Sequence, residues 1–558
     1  MSPRGAETRP ASHAAGPIER LRESVAHAAS SLRDGDAEPA SPTLERPPRA
    51  EFGDYSTNLA LLLAPALKAA PRTIAERLRD ELAGALGDLL EHAEVAGPGF
   101  LNLFLADEWF RRALDDIRAQ GDSFGAGIVP ADGRERILLE FVSANPTGPL
   151  TAASGRHAAY GDSLARVLEL AGHEVEREYY INDHGSQVEK FGQSIAARMT
   201  GSPPPEGGYE GDYVRELAER ADAEGIDPRD TEKLARRGLE LMVESAKQTL
   251  ERFRVRFDRF FSERGLHEDG SVDDALATLD GSEHLYRSEG ATWLRTTTFG
   301  DDKDRVLRRS SGDPTYFATD IAYHEHKRRR GYDRLIDVLG ADHHGHVARM
   351  RSAFAVLGDT ERLELIIMQL VHVVERGERA QMSKRRGEFV TLDELIDDIG
   401  VDAARFFMLQ RSHDTTIDLD LDLARERSQE NPVYYVQYAH ARIVSILRNA
   451  GEEALTRATE ADLTAGEAPL EPAERALIKR LLELPGEVRE ASERRAPHRL
   501  TAYAHHLASD FHAFYRDCRV VGAEPGELQD FRLAICLETQ RAIARVLGLL
   551  GVEAPESM

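Results

Sequence analysis

The sequence predicts an α/β fold: a parallel-sheet domain preceded by a small α+β unit and followed by a helical bundle. Three observations carry this. Short apolar runs of buried-strand type, such as "RILLEFV" and "LELIIMQLVHVV", stand among helical patterns in the middle of the chain. Strand, loop, helix and strand follow one another from Arg136 to Ile181, the order of a βαβ unit. From about Asp402 onward glycine and proline thin out and apolar residues recur at helical spacing.

A chain of 558 residues exceeds what one hydrophobic core holds, so several domains are expected. Residues 1–16, rich in Pro, Ala, Ser and Gly, read as a disordered tail. Residues 17–107 read as the α+β unit: Ile74, Leu78, Leu82 and Leu86 recur every four positions, and "GFLNLFLA" is strand-like. A helix at "EWFRRALDDIRAQG" leads into a Gly/Pro/Asp-rich stretch, giving a linker over 108–133. The sheet domain takes 134–400. After its first strand and the loop "SANPTGPL", Leu164, Val167, Leu168 and Ala171 share one helix face, and Gly172 supplies the stop. "EVEREYYI" is the next strand, and further units follow at "RLIDVLGADHHGHVARMRSAFAVLG" and "LELIIMQLVHVV". Between them "TGSPPPEGGYEGDY" marks an exposed insertion near 200–232. Residues 401–558 form the bundle, with Leu500, Ala504, Leu507, Phe511 and Phe514 along one face.

Composition narrows the function. With 71 basic and 97 acidic residues the net charge is −26, which excludes indiscriminate binding to nucleic acid or anionic lipid but leaves room for local basic patches such as Lys327–Arg330. Only Cys518 and Cys536 occur, so there is no disulfide framework and no cysteine-based zinc site. No apolar run reaches membrane-spanning length and no signal-peptide segment opens the chain. A soluble, cytoplasmic protein is expected, acting as a monomer.

Two segments carry phosphate chemistry. "PTGPLTAASGRHAAYGD" runs from a loop into a helix, whose unpaired N–H groups and positive dipole end suit an anion. "QMSKRRGEF" sets Lys384, Arg385 and Arg386 beside Ser383 and Gly387, a cationic loop able to clamp a triphosphate. Asp342, His343, His344 and His346, and the alternating Asp418, Asp420 and Asp422, are possible metal ligands; no dedicated protein-bound metal is expected from either.

The pair of signatures resembles that of Rossmann-like class I aminoacyl-tRNA synthetases, and longer stretches are similar to the arginyl-tRNA synthetase family. "EFVSANPTGPL" resembles its first-strand segment, "YYINDHGSQV" its second strand, "YFATDIAYHEHK" its substrate helix and "GADHHGH" its adenosine-side loop. "DLDLDLARERSQENPVYYVQYAHARI" resembles the entry to its anticodon-binding bundle, and "FGDYSTNLALLLAP" with "EVAGPGFLNLFL" its N-terminal domain. One departure is plain. Where the family has His-x-Gly-His, this chain has Thr151-Ala152-Ala153-Ser154, and Gln381 replaces the first lysine of the second signature. Loss of one preorganised donor of this kind costs about 3–4 kcal/mol, or about 10² to 10³ in rate. Thr151 and Ser154 keep hydroxyls, and His157, nearly one turn further, is a candidate substitute.

The resemblance implies arginine, ATP with Mg2+, and tRNA(Arg) as substrates and partners, with tRNA bound before arginine is activated. It places Lys384, Ser383, Arg385, Ser154 and Thr151 in catalysis. ATP would lie against Pro149, Ser154, Gly155 and His157 on one side and Gly340, Asp342, His343, Met382 and Lys384 on the other. Arginine would meet Glu140, Ser143 and Asn145 at its α-carbon groups, with Tyr316, Asp320 and Gln369 further along the pocket. A carboxylate suits a planar guanidinium, and Tyr316 and Asp320 are spaced i, i+4 on a predicted helix. Outside the resemblance, Asp320 reads rather as a helix cap and Tyr316 as a core aromatic. Tyr434, Gln437, Tyr438 and Arg442 are the expected tRNA contacts. The competing readings are a tRNA-binding protein without catalysis, an arginine-adenylating enzyme with another acceptor, and a metal-dependent hydrolase.

Overall fold

The computed structural model describes residues 16–32, 43–341, 344–379 and 390–558. They divide into two compact units. One takes in Met1–Phe124, Arg442–Leu484 and Ser509–Ala542; the other takes in Gly125–Ala441, Pro485–Ala508 and Ile543–Met558.

The first unit begins with α1 (Pro17–Ser31), β1 (Tyr55–Thr57), α2 (Leu59–Leu67), α3 (Pro71–Leu86), β2 (Leu90–Ala96), β3 (Phe100–Leu105) and α4 (Asp107–Gln120). The four-residue spacing in α3 does what it predicts: Ile74, Leu78 and Leu82 are fully buried. The three strands form an antiparallel sheet in the order β1-β3-β2, with alternate residues Leu101, Leu103 and Leu105 of the central strand in the core. Within the same unit a buried Lys479–Asp54 pair at 2.7 Å and an Arg475–Asp107 pair at 2.7 Å tie the later helices to this beginning.

The second unit carries the parallel sheet. It starts with β4 (Arg136–Glu140), α5 (Ala152–Ala171), β5 (Glu174–Ile181), α6 (Ser186–Thr200), α7 (Asp212–Ala223), α8 (Thr231–Arg252), β6 (Arg259–Ser262) and α9 (Glu263–Glu268). Next come α10 (Ser271–Asp280) and a small antiparallel sheet of β7 (Leu285–Ser288), β8 (Ala291–Leu294) and β9 (Arg305–Arg308). The main fold resumes with α11 (Tyr316–Arg329), β10 (Arg334–Gly340), α12 (His344–Val356) and β11 (Leu363–Met368). The run "LELIIMQLVHVV" is two strands in two sheets, because β12 (Val371–Glu375) leaves β11 and pairs with β13 (Glu378–Arg379) and β14 (Ile417–Asp420). Between them lies α13 (Leu392–Leu409).

Five strands form the main sheet in the order β11-β10-β4-β5-β6, all parallel. Both faces are covered, which explains the unbroken apolar run of β4, where Ile137, Leu138 and Leu139 are fully buried. The chain adds strands to one side of β4 and then, from β10, to the other. Past the carboxyl ends of β4 and β10 the winding reverses, and a ligand crevice forms at such a point. α5 seats closely there because of Gly161, where a Cβ would stand 2.2 Å from the Phe141 ring.

The expected insertion is exposed over most of its Pro/Gly-rich stretch, but α7 at its end is folded. Val214, Leu217 and Ala218 pack with Phe191, Ile195 and Leu234 in a core of their own. The aspartate run is divided: Asp418 and Asp420 lie on the exposed face of β14, whereas Asp422 is on the short helix α14 (Leu421–Arg425). Each is engaged separately, Asp418 with Arg379, Asp420 as the cap of α14 and Asp422 with the Arg376 N–H.

Candidate active site

β4 ends at Glu140, and the chain leaves it through Val142 at φ 68° and Ser143 at φ 38°. Left-handed backbone at non-glycine residues costs on the order of 1–3 kcal/mol each and persists only where the surroundings fix it. Here the Ser143 hydroxyl donates to Glu140 Oε1 at 2.8 Å and accepts the Tyr180 N–H at 3.1 Å. The other Glu140 oxygen lies 2.9 Å from the Tyr323 hydroxyl and accepts from Lys327 Nζ. Lys327 is fully buried and also donates to Asp337 at 2.7 Å, whose second oxygen is 2.7 Å from His324 Nε2. Burial alone would deprotonate this lysine, but Asp337 and Glu140 outweigh it and hold the ammonium. Glu140, expected at the α-ammonium of arginine, therefore sits beneath the loop with three internal donors and fixes Ser143 and Tyr323.

Thr315 caps α11, accepting the Ala318 N–H, so Asp320 is not a helix cap. Tyr316, one residue later, is 60% exposed and is not a core aromatic. One turn apart, they open a slot that α9 completes. Glu263 is the first residue of α9, directly past β6, and its carboxyl is buried. Burial pushes it up to about 7, with Asp320 and Asp183 adding and a hydrogen bond from Tyr180 opposing. Burial likewise raises Asp320 to about 6. Two desolvated carboxyls that repel each other's ionised form are complementary to an incoming cation, which allows both to ionise. Sequence reasoning missed Glu263. Its signal was position: the acidic residue that ends the apolar run "RFFS", as Glu140 ends "RILLE".

Asn145 is exposed on the β4 loop and donates to Gln187 Oε1 at 3.1 Å. Gln369 follows β11; its N–H donates to the His413 carbonyl and its own carbonyl accepts from Arg156. No contact among the described residues brings its side chain to Tyr316 and Asp320.

At the other end of the crevice Thr151 caps α5. Its Oγ1 accepts the Ser154 N–H at 3.4 Å and lies 3.4 Å from the Ser154 hydroxyl, so the two alcohols adjoin at the helix N-terminus. Arg156 points away: its guanidinium is buried and donates to the carbonyls of Gln369, Leu370, Ser412 and Thr415. His157 is half-buried on α5. Gly155 is where α5 meets α13, since a Cβ would stand 2.7 Å from Leu392. Main-chain bonds strap these elements together, the Ala152 N–H to Val390 O at 3.1 Å and the Leu392 N–H to Leu150 O at 2.8 Å. Pro149 and Gly340 are half-buried at the ends of the loop and of β10. Met382, Ser383, Lys384, Arg385, Asp342 and His343 lie outside the described residues.

On the helix Pro432–Ala450, Tyr434 and Tyr438 stack with ring centroids 6.1 Å apart. Gln437 is buried and donates to Asp402 at 2.8 Å and to the Glu553 carbonyl at 2.9 Å, an internal tie. The Arg442 guanidinium lies 4.9 Å over the half-exposed Tyr515 ring.

A parallel sheet wound in this order, with a helix N-terminus at its switch point and two desolvated carboxyls past its strands, agrees with the match of residues 211–434 to the family described as "tRNA synthetases class I (R), catalytic domain". Fold and site together define a class I aminoacyl-tRNA synthetase. Residues 19–105 match "Arginyl tRNA synthetase N terminal domain", and residues 436–558 match "DALR anticodon binding domain". The arginine--tRNA ligase of Frankia alni is 46% identical over 549 residues, covering 96% of this chain and 98% of its own. That of Carboxydothermus hydrogenoformans is 44% identical over 528 residues, covering 92% and 94%. The solved arginyl-tRNA synthetase of Thermus thermophilus superposes with a TM-score of 0.75 at 26% identity, covering 97% of this chain and 99% of that one. The chain belongs to the arginyl-tRNA synthetase family.

Proposed function

We propose that this chain joins arginine to tRNA(Arg) in two steps. The arginine carboxylate attacks the α-phosphorus of ATP, giving arginyl-adenylate and releasing pyrophosphate. A terminal ribose hydroxyl of the tRNA then attacks the acyl carbon and releases AMP. No covalent enzyme intermediate is required, so the protein's contribution is positioning and charge stabilisation.

The buried Glu263 and the half-buried Asp320, one helical turn from Tyr316, carry the arginine assignment, because they offer two carboxylates to a planar cation. Ser143 and Asn145, on the loop fixed by Glu140, face the amino acid's α-carbon end. ATP phosphates are received by the N-terminus of α5 with the Thr151 and Ser154 hydroxyls, and by Lys384 from the second signature. His157 is the candidate imidazole in place of the missing pair. Mg2+ enters with ATP, whose charge it partly neutralises. Tyr434, Tyr438 and Arg442 offer rings and a guanidinium to unpaired tRNA bases, whereas Gln437 holds the helix from inside.

We place the activity in the cytoplasm and in a monomer. ATP and tRNA as substrates favour that compartment, and both cysteines are free and buried, as a reducing setting allows. No helix among the described residues is long and apolar enough to cross a membrane. ATP–pyrophosphate exchange that requires both arginine and tRNA is the expected behaviour of purified protein. Exchange supported equally by lysine in place of arginine would sink the assignment of the slot.

A further inference from the structure

We propose that His184, Glu263 and His267 form a binding site for a divalent transition metal of the Zn2+ type. Glu263 and His267 are four apart on α9, so one helical turn sets both side chains on one face, with His267 Nε2 3.7 Å from Glu263 Oε1. His184, in the loop between β5 and α6, lays its ring over that of His267, with centroids 4.0 Å apart and planes 20° from parallel. One donor atom from each of the three residues lies within 4.8 Å of the others.

His267 Nε2 is buried and has no hydrogen-bond partner among the described residues. A buried polar atom left so costs energy, which a coordinate bond recovers. Asn182, with its amide assigned so that the nitrogen faces acceptors, donates to Glu263 Oε2 at 3.0 Å and leaves Oε1 toward His267. Asp183 does not compete, because its oxygens already accept the Ser262 hydroxyl at 2.6 Å and the Arg264 N–H at 2.9 Å.

Two imidazoles and one carboxylate leave a fourth position open on a tetrahedral ion, and this donor set suits Zn2+ better than Mg2+ or Ca2+, which take oxygen. His184 is exposed, so the ion has a way in, and its ring is free to turn from stacking to coordination. Glu263 also belongs to the arginine slot, so metal and arginine exclude each other there. That consequence rests on the arginine reading, whereas the metal site does not.

The test is calorimetric titration of Zn2+ into chelator-stripped full-length protein, with Co2+ absorption as a readout of coordination. Wild type, His184→Ala and His267→Ala are compared, each verified as folded by its melting transition in chelator. One equivalent of Zn2+ bound by wild type, weakened at least tenfold in each variant, is expected. Absence of stoichiometric binding, or binding that survives both substitutions, overturns the site. Repetition with saturating arginine separates the two readings: histidine-dependent binding that arginine does not weaken supports the metal site and removes Glu263 from the guanidinium slot.

Discussion

Asp320 adds its charge to the burial that already raises Glu263, so that the two carboxyls of the arginine slot titrate near 6 and 7, far above ordinary carboxylates. Raised folded-state values mean that the native chain holds protons the unfolded chain has released. The stability these groups contribute is fully present below the ordinary carboxylate range and is lost as pH rises from there to about 6 to 7. Arginine binding has the opposite demand, since a guanidinium needs both groups ionised. The KM for arginine is expected to rise as pH falls from 8 to 6, by up to about tenfold per unit once protonation dominates, while kcat changes less. Exchange kinetics across that range check it.

The same burial predicts an exchange of stability for function at Asp320. Asp320→Asn removes a charge that the folded state disfavours, so the arginine-free protein should melt a few degrees higher at pH 8 and show a smaller gain at pH 5. Loss of the charge-assisted bonds should raise the KM for arginine roughly 10- to 100-fold. Melting curves at the two pH values, with exchange assays, test both halves.

Lys327 compensates two carboxylates where water does not reach, Glu140 and Asp337. Lys327→Met keeps much of the volume and leaves both acids without their cation, which costs about 3–5 kcal/mol. A lower denaturation midpoint is expected, with arginine binding impaired in the protein that remains folded because Glu140 no longer fixes Ser143. Chemical denaturation with unchanged stability would refute this.

At the phosphate end, Ser154→Ala should lower kcat of exchange about tenfold and leave the KM for arginine unchanged, if the hydroxyl meets ATP as proposed. Lys384→Ala should lower kcat by about 10² to 10³, as loss of a preorganised charge does. A steady-state comparison of the two variants separates the fixed from the loop contribution.

Much of this was legible in the sequence because the relevant patterns are local. The runs at β4 and β5, the helix between them and the i, i+4 pair Tyr316 and Asp320 need only nearest-turn geometry to interpret. What escaped depends on long-range placement. Glu263 lies 57 residues before Asp320, and nothing local tells that β6 carries it to the same crevice. Glu140 was expected to meet the substrate, yet Lys327, nearly two hundred residues later, returns under the sheet to hold it. The division of "LELIIMQLVHVV" was hidden because both halves are apolar and the break at Gln369 and Leu370 is set by pairing with β14, not by a turn residue.

A synthetase lacking the usual imidazole pair is expected to activate arginine through a helix N-terminus, two alcohols and Lys384. Charging of tRNA(Arg) with labelled arginine by the purified protein tests it most directly. ATP-dependent charging approaching one arginine per tRNA is expected, reduced by Ser154→Ala and by Lys384→Ala. Tight tRNA binding with no charging, in protein shown to be folded, would contradict it.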